Sequence, residues 1–318
     1  MSTRDRCVSC RGIVDQDDLF CANCGREVPE GKQTATIQVG SRAVNFGCRN
    51  CGASMLYDAD AAGLKCPFCG SLDVERDETR AILAPDFVLP FEIDRADAEN
   101  RLRAWLGSSF WAPGDLATAA QLTELRAVYV PFWIFRARVD TNWAADSGRV
   151  PLGTRASWYP LAGRREASYD DVWVPASEGL SPTELYGVGP FDPSRSVPPK
   201  EVDLAGAAVE QFSVSRKYAR PLAKAQLESL EIGAVAAELG GSVRNVRVNV
   251  ILTDVDARGA LVPVYVMAYR YRERLYRFVL NGQTGQAEGG IPRSASKIAG
   301  AILLVVILTA AAAGLLLR

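Results

Sequence analysis

The chain has 318 residues, 48% apolar and 23% charged, with a formal net charge of −1 and no histidine. That length allows two or three domains with at least one sizeable core, and near-neutrality gives the whole chain no attraction to polyanions. The missing imidazole excludes a Ser-His-Asp triad, a Cys-His dyad and an HExxH zinc site, and neither a GxGxxG nor a GxxxxGK(S/T) phosphate loop is present.

All eight cysteines lie between Cys7 and Cys69, in two quartets of paired CxxC motifs. The first is Cys7-Val-Ser-Cys10 with Cys21-Ala-Asn-Cys24; the second is Cys48-Arg-Asn-Cys51 with Cys66-Pro-Phe-Cys69. Two intervening residues let a tight turn aim both sulfurs at one point, and a following glycine, as at Gly25, Gly52 and Gly70, takes the positive φ such a turn needs. Two knuckles together make a tetrahedral four-thiolate site with no coordination position left for a substrate. The expectation is two closed, structural zinc ions, one held by Cys7, Cys10, Cys21 and Cys24, the other by Cys48, Cys51, Cys66 and Cys69. Segments this short bury little core, so metal binding should drive their folding.

Four disulfides would suit the even cysteine count, but not the paired CxxC spacing or an N-terminus, Met1-Ser-Thr-Arg-Asp-Arg6, without an apolar h-region. A redox CxxC calls for one motif on a βαβ unit, not four in matched pairs. Zinc thiolates persist in a reducing compartment, which places the bulk of the chain in the cytoplasm. Residues 1–80 carry ten Lys/Arg against twelve Asp/Glu, without the cationic excess that nucleic-acid binding requires. Protein partners are therefore expected at the ribbons, and nucleic acid is disfavoured.

After Arg80 the composition turns globular. Asp94 suits the N-cap of a helix whose apolar side carries Ala98, Leu102 and Leu106. Val128-Tyr-Val-Pro-Phe-Trp-Ile-Phe-Arg-Ala-Arg-Val139 is aromatic and β-branched, hence a strand, with Pro131 indicating a strand start or an edge. Asp170-Asp171 reads as a solvated turn. Residues 219–239 are helical in composition and stop at Gly240-Gly241. Val246, Val248, Val250 and Leu252 alternate with polar residues as a half-buried strand. Turns are expected at Arg258-Gly259 and at Arg272-Glu-Arg274, with a hairpin at Asn281-Gly282. This is an antiparallel meander behind a helix, so the expected class is α+β. Tyr129–Val139 also aligns with Leu261–Tyr271, both with Val-Pro at the same place, which suggests a duplicated helix-plus-meander unit. Tyr265, Tyr269 and Tyr271 with Arg270 and Arg272 make either a binding face or the wet side of the sheet.

Ile298 to Leu317 is twenty residues without a charge, long enough as a helix to span about 30 Å of hydrocarbon. Arg293 and Lys297 before it favour a cytoplasmic bulk. Ala310 and Gly314 form a small-xxx-small pair that would suit a homo-oligomer.

With these features in view the chain resembles a family of bacterial membrane-anchored zinc-ribbon proteins, often labelled transcription-factor-IIB-type zinc ribbon or primosomal-helicase-like. The matching residues are the Cys48/Cys51/Cys66/Cys69 ribbon, Leu89-Pro-Phe-Glu-Ile-Asp94, Tyr129-Val-Pro-Phe-Trp133, Tyr276-Arg-Phe-Val-Leu-Asn-Gly-Gln-Thr-Gly285 and the closing helix. The resemblance implies a role in membrane-stress systems, recruiting soluble partners such as phage-shock or band-7-type proteins. The ribbon at Cys7–Cys24 departs from it, and the helicase label finds no ATP-binding loop here.

The expected organisation is zinc ribbon 1 at 1–30, a linker at 31–44, zinc ribbon 2 at 45–80, an α+β domain at 81–290, a juxtamembrane linker at 291–297 and a transmembrane helix at 298–317. The expected function is a non-enzymatic adaptor or scaffold in the cell (inner) membrane, single-pass and C-terminally anchored. A membrane-associated nucleic-acid binder is the alternative.

Overall fold

Two long, mostly apolar strands organise the chain. The computed structural model describes residues 6–12, 14, 21, 26, 43–58, 64–77, 83–108, 110–116, 121–122, 125–153, 155–202, 204, 207–272 and 274–316. In chain order the elements are β1 (Ala43–Cys48), β2 (Ser54–Asp58), β3 (Val74–Arg76), β4 (Phe87–Val88), α1 (Arg95–Ser108), β5 (Gln121–Leu122), β6 (Arg126–Ser147) and β7 (Tyr159–Pro175). There follow α2 (Pro182–Gly187), β8 (Ala208–Glu210), α3 (Arg216–Leu239), β9 (Val243–Tyr271), β10 (Arg274–Asn281), β11 (Ala287–Gly289) and α4 (Ala295–Leu316). Among the described residues eleven strands form one sheet in the order β11-β10-β9-β6-β8-β2-β1-β3, with β7 on β6 and β4 and β5 on β9.

The centre of the sheet is the antiparallel pair of β6 and β9, in register from Arg126↔Val266 to Ser147↔Val243. β6 is buried on both faces from Val128 to Phe135, and β9 from Gly259 to Tyr269. Beyond those stretches both strands alternate, as expected where a strand has only one covered face. One face of the centre, from Val128, Val130, Phe132, Val262, Val264 and Val266, packs on Met55 and Phe68 of the second cysteine ribbon and on Leu180, Leu185 and Val188 around α2. The opposite face is covered twice. α1 sets Ala98 and Leu102 over Tyr265, Met267, Tyr269 and Phe278, while α3 sets Ala219, Ala223 and Leu227 over Phe135, Ala137, Val172 and Val250.

The expected α+β class with separate ribbons is corrected by this topology. The fold is mostly sheet, and the sheet is mixed: β4 runs parallel to β9 and β8 parallel to β6. β2 pairs with β8, so the strands of the second ribbon continue the main sheet. Nor do the two Val-Pro segments head separate helix-plus-meander units. They lie opposite each other, Tyr129↔Pro263, Val130↔Val262 and Pro131↔Leu261, and α1, which precedes β6, packs on β9 and β10 instead.

Pro131 sits in a central strand, not at a start or an edge. On the side away from β9, β6 pairs with β8 at Val128 and Tyr129 and with β7 from Phe132 onward. The proline falls in the gap between those neighbours, where its missing N–H costs no ladder bond and its carbonyl accepts from Ala176 N at 2.9 Å. Pro263 occupies the matching gap between β4 and β10, its carbonyl accepting from Gly282 N at 2.8 Å. Arg258-Gly259 is not a turn; β9 runs through it without a break. The absent side chain leaves room for an aromatic ring, since a Cβ at Gly259 would meet Phe212 Cζ at 2.9 Å. Asp170-Asp171 lies within β7, Asp170 paired with Arg136 at 2.7 Å. Tyr265, Tyr269 and Tyr271 are core residues beneath α1.

Helix α1 begins where expected, Asp94 Oδ1 accepting from Asp97 N at 2.8 Å, and α3 ends at Gly240, whose φ is 60°. Leu106, Ala310 and Gly314 lie outside the residues whose side chains are described. In α4, Ile302, Leu303, Leu304, Val305, Val306 and Leu308 are exposed. Among the described residues no helix is long and apolar enough to cross a membrane. The expected single-pass anchor at 298–317 is corrected accordingly, and with it the cell-membrane placement that rested on it.

Candidate metal centre

The second quartet assembles from two knuckles and the end of a strand. β1 delivers Cys48, whose carbonyl accepts from Gly52 N at 2.8 Å; the Cys66 carbonyl accepts from Gly70 N at 2.9 Å. Both glycines have positive φ, 80° and 74°, a region in which a side chain would be strained. The sulfurs of Cys48, Cys51, Cys66 and Cys69 all lie within 4.8 Å of one another. Cys48 and Cys69 Sγ are 3.6 Å apart, as are Cys51 and Cys66 Sγ. A disulfide needs about 2.05 Å. A tetrahedron of thiolates about 2.3 Å from a metal ion has an edge of about 3.8 Å. The spacing fits an ion and not a bond.

The Cys66 thiol is hydrogen-bonded to Cys51, holding Cys51 down to about 5 and pushing Cys66 up. Burial pushes Cys48 up.

The first quartet is only partly described: Cys24 lies outside the described residues, and Cys7, Cys10 and Cys21 converge within 4.8 Å. Cys10 and Cys21 Sγ are 3.6 Å apart. The knuckle closes as in the other quartet, Arg11 N donating to the Cys7 carbonyl at 2.9 Å. Here Arg11 adopts the positive φ, 57°, that glycine takes in the second quartet. Both cysteine groups can thus hold metal ions.

The two groups differ in how they join the body. Phe68, between Cys66 and Cys69, is fully buried in the main core, and a Cβ at Gly179 would meet its ring at 2.6 Å. Sequence reading singled out the cysteines and missed this anchor, whose only signal was a large aromatic inside a CxxC. The first group reaches the body through Arg6, which donates to the Val255 carbonyl at 3.5 Å and lies 3.7 Å from Asp256 Oδ1.

Two buried acids escaped sequence reading as well. Glu210 Oε1 accepts from Glu178 N and Gly179 N at 3.0 and 2.8 Å, and burial pushes its carboxyl up to about 7. Glu231, buried on α3, accepts from Tyr169 OH at 2.5 Å and faces Arg165 Nε at 3.5 Å. Glu210 also accepts from the Ser177 side chain and lies near Cys51, and each acid closes a polar gap between elements.

Comparison with family models finds no match, and comparison with solved structures finds none. The chain is similar to the uncharacterised protein YdjG of Bacillus subtilis (strain 168), at 26% identity over 314 residues, spanning 80% of this chain and 92% of that one.

Proposed function

We propose that this protein is a non-enzymatic adaptor whose two cysteine groups hold structural zinc and present surfaces to protein partners. The observation that carries the reading is the closed quartet of Cys48, Cys51, Cys66 and Cys69. Four sulfurs at tetrahedral spacing leave a zinc ion no open position for substrate or activated water. An exposed apolar side chain near each group supports it: Val8, inside the first knuckle, is 83% exposed and Leu72, three residues after Cys69, is 75% exposed, groups that a partner surface would cover. The acidic balance of residues 1–80 and the resemblance to zinc-ribbon adaptors point the same way.

Capture of partners by the full chain tests this, comparing the parent with Val8→Asp/Leu72→Asp. The expected result is loss of specific partners with zinc content unchanged at two ions per chain. Identical partner sets would defeat the docking claim, and retention on DNA with steep salt dependence would favour nucleic-acid binding instead.

A further inference from the structure

Helix α3 is apolar on two opposite sides. Its inner stripe, with Ala219, Ala223 and Leu227, is buried against the sheet. On the outward side Tyr218, Leu222, Ala225, Ser229, Ile232 and Ala236 follow one another at spacings of four, three, four, three and four residues, the period that keeps side chains on one line of a helix. Tyr218, Leu222, Ala225, Ser229 and Ile232 are exposed, and no charged residue stands on that line. A surface helix ordinarily turns its charged side chains to water; this one keeps them off its outermost line. Charge lies instead on one flank, where Lys224 and Glu228, both partly exposed, pair at 3.8 Å, a weak contact in water. The midpoint of that pair is residue 226, and the midpoint of the apolar line from Tyr218 to Ala236 is residue 227.

We propose that this face is covered by a second copy of the chain, the two α3 helices lying antiparallel about a two-fold axis at the level of Gln226. An isologous interface must be complementary to itself, and the outer face of α3 meets that condition. Antiparallel packing brings the same flank of both helices together. Lys224 of each copy then comes to the level of Glu228 of the other, and the two pairs within the helices combine into four alternating charges. Parallel packing would set the charged flank against the opposite one, where Gln226 and Leu230 stand, and give the charges no counterpart. Because the charged pair and the apolar line share nearly the same midpoint, the axis that joins the charges also overlaps the line along its length; an unrelated partner would not require that coincidence. The 24 residues of α3, at about 1.5 Å rise and about 10–12 Å width, offer a footprint of roughly 400 Å² on each copy, at the low end for specific interfaces. The association is therefore reversible and micromolar. It is separate from the cysteine groups and does not depend on the adaptor reading.

Sedimentation velocity on the zinc-loaded full chain, from about 1 to about 100 µM, tests the interface. The parent is expected to pass from one copy to two over that range. Leu222→Asp, which sets a carboxylate on the apolar line, should weaken association at least about tenfold, with an unaltered thermal midpoint showing that it folds. Should that variant unfold, Ser229→Arg, at an exposed position, is expected to weaken association likewise. Orientation is read from charge. Lys224→Glu alone and Glu228→Lys alone should each weaken association, since each sets four like charges at the centre, whereas an equimolar mixture of the two should recover a mixed dimer at the parent's strength. Repair of the pair within a helix cannot account for that recovery, because neither chain in the mixture regains it. A parent that stays single throughout, association undiminished in a folded Leu222→Asp or Ser229→Arg chain (as contact through the exposed residues of α4 would give), or a mixture no stronger than its components would each overturn the proposal.

Discussion

Single residues here act mainly by how their polar atoms are paired. Glu210 is wholly buried, and its carboxyl is pushed up to about 7 from an ordinary 4.5, desolvation being the largest cause. The folded state therefore holds a proton that the unfolded chain has released between those values, and stability falls as pH rises through that window. The loss is on the order of 3 kcal/mol. Denaturant unfolding at pH 5 and pH 8 should show it, and Glu210→Gln, which cannot ionise, should flatten the dependence. Tyr169→Phe removes a hydroxyl donor from the buried carboxylate of Glu231 and should cost about 1.5–3 kcal/mol, the range for hydrogen bonds to charged groups, read as a lower denaturant midpoint. Much of the metal site was legible at this scale because CxxC knuckles are local, closing within a few residues of chain. The buried acids were not, because Glu210 meets its partners only after β8 has joined the sheet. Arg11 shows a limit of another kind: the knuckle forms without the glycine that sequence reading leans on, since the hydrogen bond to the Cys7 carbonyl specifies the turn more strongly than the residue type.

Elements are held by what covers them. α3 contributes Leu227, 1% exposed, to the cluster under it, so Leu227→Ala should cost about 2–5 kcal/mol by lost burial and a residual cavity. The cost should be close to additive with that of Tyr169→Phe only if the two sites relax independently, which a double-mutant cycle measures. Helix positions were readable because caps and glycine stops are local: Asp94 opens α1 and Gly240 closes α3 as their residue types suggest. Strand positions were readable in part. The apolar runs around Val128 and Leu261 announced strands, but a proline reads as an edge and an Arg-Gly pair as a turn when only the local chain is considered. Pro131 lies at a junction between two neighbours of the same strand, and Gly259 answers to the ring of Phe212. Both depend on segments distant in sequence, and no local rule carries that information.

At the scale of the molecule the two cysteine groups have unequal standing. The second shares its core with both central strands, whereas among the described residues the first reaches the body through Arg6. Disrupting the second cysteine group should therefore unfold more than a ribbon. Cys48→Ser/Cys51→Ser is expected to lower the main thermal transition, and Cys7→Ser/Cys10→Ser to leave it in place; equal effects would show that the groups are energetically alike. The expectation of small autonomous modules came from their short sequence spans. It missed that β2 finds its outer neighbour in β8, a pairing set by topology. That pairing also orders events in time. The CxxC knuckles close over short loops and can take up metal while the chain is still being made, but β6 obtains its main partner only when β9, near the C-terminus, has been synthesised. Contacts of such sequence separation form slowly. A nascent chain thus passes through a period in which Met55 and Phe68 lack the central strands they pack on.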